Sequence, residues 1–179
     1  GGCYTDVDFF FFFRFLLKTT NRGEAAKYDL RTGQIVIRYA KKVEDLSSGV
    51  FSRDSKLVAI CTKKEVTIYN AQSGDSIKTI NPDIKSEINQ AIFTANGKQV
   101  LIACDNNVVL IWDIAKNKKV GELTGFLNQR DKGGLTYDPN SYWDSYIAKY
   151  LRYKNDILLS RDNKTLLKGK FGSKVKRWD

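Results

Sequence analysis

Residues 91–113, AIFTANGKQVLIACDNNVVLIWD, set three short apolar runs in a row, separated by two tight polar turns and closed by Trp112-Asp113. Ala91-Ile92-Phe93 is the first run. Ala95-Asn96-Gly97-Lys98 comes next as a turn, where Asn and Gly accept the positive φ that β-branched residues resist. Gln99 to Cys104 is nearly all apolar, which predicts a strand buried on both faces. Asp105-Asn106-Asn107 is a second turn, and Val108 to Trp112 a third strand. Short β-rich runs between Gly, Asn and Asp clusters specify an antiparallel meander rather than helices. Such a meander buries too little surface to stand alone in water, so it must pack on a neighbour of the same kind.

The neighbours are present. Aligning on the closing aromatic-plus-polar step gives Tyr28-Asp29, Tyr69-Asn70, Trp112-Asp113 and Trp178-Asp179, spaced by 41, 43 and 66 residues. The last spacing equals one repeat plus an insertion of roughly 24 residues. Phe51-Ser52-Arg53-Asp54-Ser55-Lys56 matches Phe93-Thr94-Ala95-Asn96-Gly97-Lys98, and both match Leu159-Ser160-Arg161-Asp162-Asn163-Lys164. Cys61 and Cys104 each fall eight residues before the closing aromatic. A period in the low forties with four strands per repeat is the signature of propeller blades.

On these residues the chain resembles the WD-repeat β-propeller family, over roughly 14–124 and 156–179, with the third repeat matching best and the first worst. The resemblance implies an all-β fold, antiparallel four-stranded blades of an incomplete propeller. It also makes Tyr28, Asp29, Tyr69, Asn70, Trp112, Asp113, Trp178 and Asp179 structural repeat positions rather than a site. The family commonly carries a Gly-His pair early in each repeat, whose His joins a hydrogen-bonded network with the Trp and Asp. This chain has no histidine and offers Gly125-Phe126 at the matching place, so its stability must rest more on packing.

Length supports a single partial domain, 1–179. A seven-bladed ring needs roughly 290 residues, and at most four repeats are visible here. The absence of Met, the curtailed first repeat and the stop on Trp178-Asp179 make a fragment the expectation. An incomplete ring exposes blade faces and edges, so further blades or a partner chain are expected to close it.

The division is a Phe-rich segment at 1–13, a partial blade at 14–40, blades at 41–80 and 81–124, an insertion at 125–155 and a partial blade at 156–179. Leu16-Leu17 fit a middle strand, which puts the run Phe9–Phe13 where a polar turn belongs. Residues 1–13 thus read as foreign to the blade, with a real hydrophobic edge as the rival. The run is too short to span a bilayer and is interrupted by Arg14. Asp6 and Asp8 precede it where a secretory signal would carry positive charge. In the insertion, Ser141 to Lys154 reads as a short helix near 141–154, with a capping-box pattern at Ser141 and Asp144. Trp143, Tyr146, Ile147, Tyr150 and Leu151 line one face.

The chemistry is sparse. Without histidine there is no Ser-His-Asp or Cys-His arrangement, and the commonest metal ligand is absent. Three cysteines without a C-x-x-C pair argue against a disulfide framework or a zinc site and suit a reducing compartment. Gly169–Lys174 lacks the glycine spacing of a phosphate loop and reads as a hairpin turn. No enzyme, cofactor or metal is expected. The net charge of +10, from 30 Lys plus Arg against 20 Asp plus Glu, is spread largely over turn lysines such as Lys56, Lys63, Lys98 and Lys116, which reads as a solvated surface.

Together these features point to a non-enzymatic scaffold binding other proteins within a larger assembly, in the cytoplasm, with the nucleus as the other compartment. Trp143, Tyr146, Tyr150 and Arg152 are its candidate partner-binding residues, being of hot-spot types; a stripe that merely covers the propeller's side is the plainer reading. The alternative function is contact with RNA in a ribonucleoprotein complex, through basic turns and the aromatic and basic residues of 141–154.

Overall fold

A computed structural model describes residues 5–9, 14–20, 22–106, 108–124, 157–160, 165–168 and 176–178. Among the described residues the fold is all-β, without a helix. The first sheet holds β1 (Thr5–Phe9), β2 (Phe15–Thr20), β3 (Glu24–Asp29) and β4 (Gln34–Ala40). The second holds β5 (Leu46–Phe51), β6 (Leu57–Thr62), β7 (Val66–Asn70) and β8 (Ser76–Ile80). The third holds β9 (Ile88–Phe93), β10 (Gln99–Cys104), β11 (Val109–Asp113) and β12 (Lys118–Leu123). A fourth, three-stranded sheet holds β13 (Ile157–Leu159), β14 (Leu166–Lys168) and β15 (Lys176–Trp178). Each is an antiparallel meander in chain order.

Successive sheets meet through their leading strands. β5 lies against β1 and β2, β9 against β5 and β6, and β13 against β9. The middle strands explain why. On β6, Val58 and Ile60 enter the seam with the first sheet, while Ala59 and Cys61 enter the seam with the third. On β10, Val100, Ile102 and Cys104 face the second sheet, and Leu101 and Ala103 face Ile157 and Leu166 of the fourth. A strand with period-two side chains and neighbours on both sides needs apolar residues at every position, which is what Gln99–Cys104 anticipates. Fully burying one such side chain stabilises the fold by about 1.5–3 kcal/mol.

Three features differ from the expectations drawn from the sequence. The repeat pattern starts the first sheet at residue 14. The strand Thr5–Phe9 adds a fourth member, paired from Thr5↔Thr20 to Phe9↔Leu16, so the Phe run begins where the hairpin turns. Cys61 and Cys104 share equivalent strands but not equivalent positions. The turn from β10 to β11 is one residue longer than that from β6 to β7, as the bonds Thr62 N→Glu65 O and Cys104 N→Val108 O show. Cys61 therefore corresponds to Ala103 and Cys104 to Thr62, and the two thiols enter one seam from opposite sheets. Third, the fourth strand of each full sheet is bulged at the same point. Val36, Ile77 and Val120 are each skipped by the ladder, and each stands seven residues after the closing Asp or Asn. The expected helix near 141–154 lies outside the described residues.

Gly49 is a point of close approach between the first two sheets. A Cβ there would sit 2.8 Å from Thr19 Cγ2, 3.0 Å from Ile60 Cδ1 and 3.2 Å from Leu17 Cδ2. These are side-chain ends that can yield slightly, and Ala91 occupies the corresponding place in the third sheet. Gly49→Ala is therefore expected to be nearly neutral, whereas Gly49→Leu should lower stability by about 1–3 kcal/mol through overpacking. Urea unfolding of the two variants measures this; equal stability would show that the seam is loose.

Candidate interaction surface

The turns that join first to second strands and third to fourth strands lie at one end of the sheets. Leu30 N donates to Arg14 O (2.8 Å), Ala71 N to Lys56 O (2.9 Å) and Ile114 N to Lys98 O (3.1 Å). This end gathers Arg14, Arg31, Arg53, Lys56, Lys98 and Lys116. Much of its acid is consumed internally. Asp29 Oδ1 accepts from Arg31 N at 2.9 Å, Asn70 Oδ1 from Gln72 N at 2.8 Å, and Asp113 Oδ1 from Lys116 N at 2.8 Å. The first two close Asx turns into the outer strand, and Asp113 makes the matching bond one residue further on. That work needs a side-chain oxygen rather than a charge, so Asn70 substitutes for Asp without loss of the bond. The Arg31 N–H holds the Asp29 carboxyl below its ordinary range, and the Arg31 and Arg14 guanidiniums act in the same direction against burial.

The partner turn uses a hydroxyl. Ser52 Oγ accepts from Leu57 N (2.9 Å), Thr94 Oγ1 from Gln99 N (3.2 Å) and Ser160 Oγ from Thr165 N (2.9 Å). The aligned Ser/Thr of the sequence repeat is thus a turn-closing residue in three sheets. At the opposite end, Lys63 Nζ reaches Glu87 at 3.2 Å and Asp45 at 3.9 Å, and chiefly the Glu87 contact raises its pKa. Exposed pairs of this kind contribute little to stability.

The aromatic positions are structural as well. The Tyr69 ring lies 5.4 Å from the ring of Tyr39, and Trp112 Nε1 donates to Asn117 Oδ1 at 3.2 Å. Tyr28 lies opposite Leu16, and Trp178 opposite Leu166, both as third-strand residues. Asp179 and the candidate partner-binding residues Trp143, Tyr146, Tyr150 and Arg152 lie outside the described residues. Among the described residues no three His, Cys, Asp or Glu side chains are grouped to hold a metal ion.

Sequence reasoning missed Lys27. It is buried in the seam between the first and second sheets, donates to Ala71 O at 2.7 Å, and lies 4.4 Å from the centre of the Phe15 ring. Tyr39 OH donates to the same carbonyl at 3.1 Å. Its signal was legible: Lys27 stands where the other full repeats have Ile68 and Ile111. Burial lowers the Lys27 pKa, and the nearby Arg14 charge lowers it further. Burial also pushes the Tyr39 phenol up.

A lowered lysine pKa means that the folded chain releases this proton before the unfolded chain does. Stability of the native chain relative to Lys27→Met should therefore rise with pH, from the lowered folded value up to the ordinary 10.5. Denaturant unfolding of both chains across alkaline pH tests the sign. A difference that is flat or falling with pH would show that the ammonium is not desolvated.

No family model matches the chain. The chain is 31% identical over 150 residues to Pre-mRNA-processing factor 19 of Saccharomyces cerevisiae, a match that takes in 81% of this chain. It spans about a quarter, 27%, of that relative's length.

Proposed function

We propose that the chain forms consecutive blades of a WD-repeat β-propeller and serves as a non-enzymatic scaffold for protein contacts within a larger, RNA-processing assembly. One observation carries the reading. Successive antiparallel meanders pack in series through their leading strands, and the full ones end on the same aromatic-plus-Asx step with the same turn chemistry. A stack built this way leaves turns and outer strands for partners while its seams hold it rigid. The relative is named for pre-mRNA processing, which supports an assembly that handles RNA and a place in the nucleus rather than the cytoplasm. On this reading 5–40, 41–80, 81–124 and 156–179 are successive blades, the last of them partial. Residues 125–155 are an insertion whose Trp143, Tyr146, Tyr150 and Arg152 dock a partner.

Affinity capture with the tagged chain from nuclear extract tests this. Protein partners should be retained through a high-salt wash and lost in Trp143→Ala. Retention of RNA alone, released steeply as salt rises, would replace the protein scaffold with direct nucleic-acid binding.

A further inference from the structure

Four large hydrophobic side chains are exposed among the described residues, and three of them are the bulge residues of the outer strands: Val36 (50% exposed), Ile77 (51%) and Val120 (44%). Isolated exposed aliphatics are ordinary on a protein surface. Recurrence at one register in three sheets is not scatter. Bulges and lysines on an edge strand guard it against pairing with another chain, so edge protection accounts for the bulge and for the basic residues nearby. It does not account for the aliphatic, since a polar residue at the bulge would guard the edge better.

The charge around these positions is mainly basic, with Asp75, two residues before Ile77, as the acid nearest to it. Arg38 shares β4 with Val36, Lys78 is next to Ile77, and Lys118 and Lys119 precede Val120. The three outer strands hold a single acid, Glu122, already engaged by Lys119 at 2.8 Å. Each sheet therefore turns outward the same small unit, a protruding aliphatic with at least one cation close by, and over the three strands the cations Arg38, Lys78, Lys118 and Lys119 outnumber the nearby acids Asp75 and Glu122.

We infer that the bulged outer strands are a repeated docking surface for an acidic protein segment bearing aliphatic side chains. The bulges interrupt the edge ladder, so the contact runs through side chains and not through strand addition. The segment's aliphatics cover Val36, Ile77 and Val120, and its carboxylates meet the flanking cations. This rests on the scaffold reading and names the surface and partner class it would use.

The test is fluorescence anisotropy of the full 179-residue chain with two labelled twelve-residue peptides, one alternating Glu with Leu and one alternating Glu with Ser. The Glu/Leu peptide should bind about tenfold more tightly. The combined Val36→Thr, Ile77→Thr and Val120→Thr substitutions keep β-branched, half-exposed residues and should erase that preference without shifting the melting temperature. If the combined variant unfolds, Ile77→Thr alone should lower the preference about twofold. Equal affinity for the two peptides, a preference that survives the substitutions, or displacement of the Glu/Leu peptide by a twelve-residue uridine RNA would each overturn the inference. The scaffold reading fails on a different result, capture of no protein in the extract experiment.

Discussion

The structure depends on a seam: two sheets face each other, and the middle strand of each is apolar on both sides. β6 and β10 are the strands that make this unavoidable, because each sends alternate residues into two different neighbours. Neither could be solvated on either face without exposing two or three buried apolar side chains. Removing one of them, for example Ile102, would cost about 2–5 kcal/mol through lost transfer energy and a residual cavity. The remaining architecture answers that demand.

Polar groups then decide the details that packing leaves open. The side-chain oxygens of Asp29, Asn70 and Asp113, each bonded to a backbone N–H of the following turn, set where each third strand stops and the outer strand starts. The hydroxyls of Ser52, Thr94 and Ser160 do the same for the turn before the middle strand. The first seam is the exception in composition. Lys27 and Tyr39 both donate to the Ala71 carbonyl, in a place where the other full repeats bring isoleucine against their neighbour. A buried cation costs more than an aliphatic but fixes geometry, since only one alignment of the two sheets satisfies the ammonium. That makes the first and second sheets a less interchangeable pair than the second and third.

Much of this was legible in the chain. Gln99–Cys104 is a strand with the expected limits, because two-sided burial and flanking turn residues leave it little choice. The third strand of the third sheet runs one residue beyond the expected Trp112, since Asp113 still pairs in the ladder before it caps the turn. Thr5–Phe9 was not legible as a strand, because the sequence that follows it is a run of phenylalanines without the polar residues that normally mark a turn. The cysteine correspondence failed because counting back from the tryptophan crosses a turn whose length differs between repeats. Lys27 shows in the chain as a break in the pattern of Ile68 and Ile111, but its burial shows only once the neighbouring sheet is in place.

The sequence by itself determined the local units: where strands lie, which turns join them, and that the unit repeats about every 42 residues. These come from short-range sterics and from the period of apolar residues, both of which act within a few positions. Tertiary structure alone decided which face of each strand meets which sheet and that Cys61 and Cys104 share a seam. It also decided that Lys27 loses its water and that Val36, Ile77 and Val120 stand outside the ladder. Those outcomes depend on contacts between residues tens of positions apart, where burial and register are properties of the packed sheets and not of any one segment.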